Sequence, residues 1–88
     1  VADHTESLAK ALLANDSLSD TDRVRQLYRQ ILSRDPQHTE SARSQQFVAL
    51  YTDRVIKTLA TDEPSARLKA WQALCRSLIA SNEFVFMD

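Results

Sequence analysis

No glycine occurs in this chain of 88 residues, where average usage would place about six. Glycine-rich phosphate loops and type I′ hairpins built on glycine are therefore excluded. Proline is scarce as well, with two residues, and the one cysteine, Cys75, can form neither an intramolecular disulfide nor a Cys-only metal site. Neither sign of charge is in excess: the net charge is −1 and the pI near 6.1, which argues against a nucleic-acid binder driven by electrostatics. No apolar run approaches the roughly 18 residues that a membrane-spanning helix requires. The opening Val1-Ala2-Asp3-His4 lacks an initiator methionine, a basic n-region and an apolar h-region. It does not read as a secretory signal, and the chain is expected to be cut from a longer protein.

What is present is a helical pattern. Hydrophobic residues make up 43% of the sequence, and a 10.0 kDa chain can bury roughly 64% of its unfolded surface, enough for one modest core. No low-complexity or linker-like stretch divides it, so residues 1–88 are read as a single domain. A first helix is expected from about His4 to Ala14, opened by Asp3 with Glu6 three residues later and carrying Leu8, Ala11, Leu12 and Leu13. Asn15 is expected to close it in the left-handed region. The second begins at the capping pair Ser19 and Asp22 and sets Val24, Leu27, Tyr28, Ile31 and Leu32 at i, i+3, i+4, i+7 and i+8. It should stop near Ser33, because Pro36 disfavours helix at the residue before it.

The third helix can start with Asp35 as cap and Pro36 at its first position, or with Thr39 as cap, and runs to about Ala60. Its apolar side is read as Phe47, Leu50, Tyr51, Val55 and Leu59, with Val48 and Ile56 at the margins, and at roughly 20 residues it is expected to be the longest. After Thr61-Asp62-Glu63-Pro64, a fourth helix from about Pro64 to Ala80 presents Leu68, Trp71, Leu74, Cys75, Leu78 and Ile79. That face is wide enough to meet several neighbours, so this helix is expected to be central. Ser81-Asn82-Glu83 reads as a stop and Phe84-Val85-Phe86-Met87 as an extended apolar tail. The expected fold is thus all-α, a compact bundle of about four helices with a short extended C-terminal tail.

Residues able to do chemistry are sparse. His4 and His38 lack a second histidine or a cysteine at i+3 or i+4, so neither begins a helical metal site. Cys75, one turn after Trp71 on an apolar face, reads as a small buried hydrophobe, since a reactive thiolate wants an electropositive and accessible setting. Glu40 and Glu83, 43 positions apart, could converge only through the fold, and no sequence feature makes them a general acid and base. Arg23, Arg25, Arg29 and Arg34 gather positive charge along the second helix, but Asp20 and Asp22 dilute it, and a solvated helix face is the plainer reading. The run from Leu27 to Pro36 resembles the end of a tetratricopeptide repeat. Val24 and Ile31, however, occupy positions where that repeat needs small residues, and the next unit lacks its aromatic and glycine landmarks.

Two elements are more specific. The first is Arg34 and Pro36 with Glu40 four residues after the proline; the second is the closing Leu78 to Phe84, Leu-Ile-Ala-Ser-Asn-Glu-Phe. Together they resemble the C-terminal end of a planctomycete-type domain of unknown function, found in large proteins that often carry a cytochrome-c-like domain upstream. Leu78, Ser81, Asn82, Glu83 and Phe84 keep that family's closing signature, while Ile79 and Ala80 depart from it, and Gln37 stands where Ser or Thr commonly follows the proline. The haem-attachment pattern Cys-x-x-Cys-His is absent, so any haem would belong upstream and these residues are expected to hold no cofactor. The resemblance implies an exported or envelope-associated bacterial parent.

In physical terms Arg34 opposes the negative end of the second helix, and Glu40 lies near the positive end of the third. Glu83 is expected to fold back to Arg34 or to backbone amides while Phe84 and Phe86 close one end of the core. The alternative is that Glu83 and the tail belong to a partner surface. The chain therefore reads as a helical packing or protein-interaction module with no catalytic or metal-binding residue. Trp71, Phe84 and Phe86 are its candidate contacts, and the upstream part of its own parent is the expected partner. The competing reading is a fragment that completes an enzyme or redox site whose reacting groups lie upstream; nucleic acid ranks last.

Overall fold

Four α-helices make up most of the described backbone: α1 His4–Ala14, α2 Asp20–Leu32, α3 His38–Leu59 and α4 Glu63–Phe86. No strand occurs among the described residues, which in this computed structural model are 4–86 for the backbone and 5–81 for side chains. The cap of α1 at Asp3 lies outside them. α4 packs against all three other helices, as the width of its apolar face predicts. Its Trp71, Leu74, Cys75 and Leu78 form one core with Ala9 and Leu12 of α1, Val24, Leu27 and Tyr28 of α2, and Val48 of α3. Ala66 and Ala70, both fully buried, hold α4 close to its neighbours. The radius of gyration is 12.9 Å, near the roughly 12 Å expected for a compact chain of this length.

Local chemistry explains the helix limits. The Ser19 hydroxyl accepts from the Asp22 amide at 3.2 Å and opens α2, and the Asp62 carboxylate accepts from the Ser65 amide at 3.1 Å and opens α4. α3 begins between the two starts read from the sequence, with Gln37 as its cap. Glu40 decides this by reaching back to accept from the Gln37 amide at 2.8 Å, which leaves Pro36 in the extended approach. Asn15 does not take the left-handed conformation expected of it; among the described residues only Ser33 and Ala60 do. Its side-chain oxygen accepts from the Ser17 amide at 3.0 Å instead, and this Asx turn reverses the chain.

α2 and α3 thus close on left-handed residues that are not glycine, at φ 57° for Ser33 and 51° for Ala60. An L-residue is strained there, and glycine is the usual occupant. Ala60→Gly and Ser33→Gly are each expected to stabilise the fold by about 0.5–1 kcal/mol in urea denaturation, the relieved strain outweighing the entropy that glycine adds to the unfolded chain.

Two further expectations are corrected. α4, at 24 residues, and not α3, at 22, is the longest helix. Its backbone stays helical past Ser81-Asn82-Glu83 and through Phe86, where a stop and an extended tail were expected. Serine and asparagine each cost only about 0.5 kcal/mol in a helix, and no glycine or proline follows to end it. The side chains of Asn82, Glu83, Phe84 and Phe86 lie outside the described residues, and with them the expected Glu83–Arg34 pairing.

Candidate interaction surface

α3 turns a different face inward from the one its strongest apolar stripe suggests. Ser44, Val48 and Val55 are its buried residues, while Phe47 (37% exposed), Leu50 (60%), Tyr51 (38%) and Leu59 (60%) remain open to solvent. The helix carries two adjacent apolar stripes, and a bundle of four has neighbours for one. The stripe with the smaller side chains lets α3 approach the Trp71-bearing helix closely, so the bulkier one is left outside. Every exposed large apolar side chain among the described residues lies on this one helix.

The outer stripe has structure of its own. Phe47 and Tyr51 pack one turn apart with ring centroids 5.6 Å apart and planes tilted by 36°. Beside them run two shallow grooves. One of about 290 Å³ is lined by Tyr28, Glu40, Arg43, Phe47 and Leu78 among others, and one of about 260 Å³ by Tyr51, Arg54, Val55, Thr58 and Leu59. Arg43 and Arg54 make no ion pair among the described residues, whereas Lys57 on the flank is neutralised by Asp53 at 2.9 Å.

Arg34, Pro36 and Glu40, singled out in the sequence, meet at the α2–α3 corner. Arg34 donates from Nη1 and Nη2 to the two Glu40 oxygens at 2.8 and 2.9 Å, and its guanidinium lies 5.4 Å from the centre of the Tyr28 ring. Pro36 sits between them as the bend. The Arg34 fork and the Gln37 amide hold the Glu40 carboxyl well below the ordinary carboxylate range, at about 2. The folded value is depressed, so the stabilisation is complete above the unfolded value of 4.5 and is lost as pH falls toward 2. Because the pair is largely open to water, its contribution is about 1 kcal/mol. Urea titrations of wild type and Glu40→Gln are expected to differ by that amount at pH 7 and to draw together as pH falls from 4.5 through 2; a constant difference would show that the ion pair contributes nothing.

The arginines of α2 are also engaged within the fold. Arg23, read from sequence as part of a solvated basic face, is buried, with 8% exposure. It donates to the carbonyls of Leu12 (3.0 Å) and Asn15 (3.0 Å) and to Asp20 (2.8 Å), and so closes the C-terminal end of α1. Asp20 also accepts from Arg67 of α4 at 3.0 Å. Partial burial alone would raise the Asp20 pKa, but hydrogen bonds from Arg67 and Arg23 carry it below the ordinary value. Arg25 pairs with Asp22 at 3.7 Å and Arg29 with Asp35.

Trp71, expected among the partner contacts, is fully buried and is the largest such side chain in the core. Cys75 is buried as well, and His38 is exposed at the start of α3. Among the described residues no three of His, Cys, Asp or Glu cluster to hold a metal ion, and no helix is long and apolar enough to cross a membrane. Comparison with family models, curated proteins and solved structures finds no match.

Proposed function

We propose that this chain is a helical protein-interaction module of a larger bacterial protein and acts by docking, with no reaction of its own. The observation that carries the reading is the confinement of exposed Phe47, Leu50, Tyr51 and Leu59 to one helix. Scattered apolar residues are normal on any surface, but a contiguous stripe bordered by polar residues is characteristic of a binding face. The likeness of Arg34, Pro36 and Glu40, and of the closing Ser-Asn-Glu-Phe, to the C-terminal end of the planctomycete-type domain supports membership in a larger protein. The upstream part of that protein is the first partner to test.

The test is size exclusion with light scattering on the chain, alone and mixed with the remainder of the larger protein. Co-elution at the summed mass is expected, and Leu50→Lys should abolish it without lowering Tm, because Leu50 contributes little to the core. Separate elution, or co-elution that Leu50→Lys leaves intact, would overturn this assignment of the face.

A further inference from the structure

Resting on the reading of the outer α3 stripe as a docking face, we infer that its occupant is an amphipathic helix with acidic residues three turns apart, bracketing its apolar anchors. The stripe has a charge pattern as well as a shape. In order along α3, Arg43, Phe47, Leu50, Tyr51 and Arg54 follow helical spacing and so share one side. The two arginines bound the apolar centre, about 16.5 Å apart along the axis. The neighbouring charges offset them only in part, since Glu40, one turn before Arg43, also interacts with it electrostatically. Glu40 is held by Arg34 and the Gln37 amide, and Asp53 is held by Lys57. The stretch from Arg43 to Arg54 is therefore apolar in the middle and basic at both ends, with Leu59 beyond it, in a molecule whose net charge is −1.

A helix laid in the grooves beside Phe47 and Tyr51 matches that pattern. Its own i, i+3, i+4 and i+7 anchors cover the rings and Leu50, and a carboxylate at each end meets an unpaired guanidinium. A second copy of this chain fits poorly. Antiparallel pairing of two α3 stripes sets Arg43 against Arg54 of the other copy, and parallel pairing sets each arginine against itself. A single-stranded nucleic acid fits less well than a helix. Phe47 and Tyr51 are packed on one another instead of standing apart as stacking platforms, and the exposed Leu50 and Leu59 offer bases nothing to pair with.

The probe is a pair of synthetic helical peptides of about 18 residues. Each has leucines on one face; one has glutamates three turns apart at the ends of that face, the other lysines. Titration of the intact chain is followed by fluorescence anisotropy and by amide chemical shifts. The glutamate peptide is expected to bind at least tenfold more tightly than the lysine peptide, with shift changes confined to the stripe from Arg43 to Leu59. The double variant Arg43→Glu, Arg54→Glu should reverse that order, and both positions are exposed, so the fold is retained. Equal binding of the two peptides, lost in Leu50→Lys, would overturn the acidic partner and leave the docking face standing. The same holds for a concentration-dependent dimer lost in Leu50→Lys, or for tighter binding of a single-stranded RNA oligonucleotide. Absence of all binding in a monomer that Leu50→Lys leaves unchanged would overturn both readings.

Discussion

Trp71→Ala is expected to destabilise the domain by about 4 kcal/mol, the largest effect of any single truncation in this core. Trp71 is fully buried on α4, which packs against all three other helices, so its loss opens a cavity walled by rigid neighbours. For a domain of this size each kcal/mol lowers Tm by roughly 4–8 °C, and total stability is itself only about 4–13 kcal/mol. The alanine variant therefore sits at the edge of folding, and Trp71→Phe is the informative companion. The indole Nε1 is buried with no hydrogen-bond partner among the described residues, an arrangement that costs about 1–3 kcal/mol. Phenylalanine removes that donor while keeping most of the ring, so its net loss should stay within about 1 kcal/mol. Thermal and urea denaturation decide the matter. Were Trp71 a partner contact, both variants would keep wild-type stability, and that result would contradict the buried placement.

Arg23→Met is expected to cost about 3 kcal/mol. The guanidinium satisfies two carbonyls at the end of α1 and one oxygen of Asp20, and α1 has no basic residue in its last turn to take over. Methionine fills much of the volume but leaves those acceptors short of donors. Arg23→Lys keeps the charge without the planar fork and should recover only about 1 kcal/mol of the loss. Salt separates this buried device from the exposed one at the α2–α3 corner. In 1 M NaCl the deficit of Arg23→Met should persist, while that of Glu40→Gln should shrink. A stability for Arg23→Met within about 0.5 kcal/mol of wild type would mean that water caps α1 as well as arginine does.

Much of the architecture was legible because it rests on local rules. Ser19 before Asp22, Pro36 after Ser33, and the acidic run before Pro64 each mark a boundary through backbone sterics or an orphan amide. The breadth of the α4 stripe announced a central helix. α3 was legible as a helix but not in its orientation, since period alone cannot choose between adjacent apolar stripes. That choice depends on how many neighbours exist and how closely they approach.

The candidate surface was misread for the same reason, and the stripe assigned to the core became the face left open. Arg23 did carry a signal: it stands beside Val24 and four residues before Leu27, on the inward side of α2. A charged residue on an apolar face implies a buried acceptor, but the acceptors, the carbonyls of Leu12 and Asn15, belong to another helix and cannot be found by spacing. Arg34 and Glu40 were each placed correctly against a helix end. Their direct pairing depends on the bend at Pro36, because residues six apart are not neighbours on a continuous helix.

The order of contacts along the chain also bears on how the domain assembles. α2, α3 and α4 follow one another through short turns, whereas α1 finds its main partner, α4, only across a loop of roughly 50 residues. Docking α1 is thus the most entropically expensive closure in the molecule, and α4 must be in place before Ala9 and Leu12 have a surface to cover. In kinetic terms, substitutions at the α1–α4 contact should chiefly accelerate unfolding, while those between α3 and α4 should slow folding. During synthesis α1 emerges well before α4, and its apolar side stays uncovered until that partner has followed.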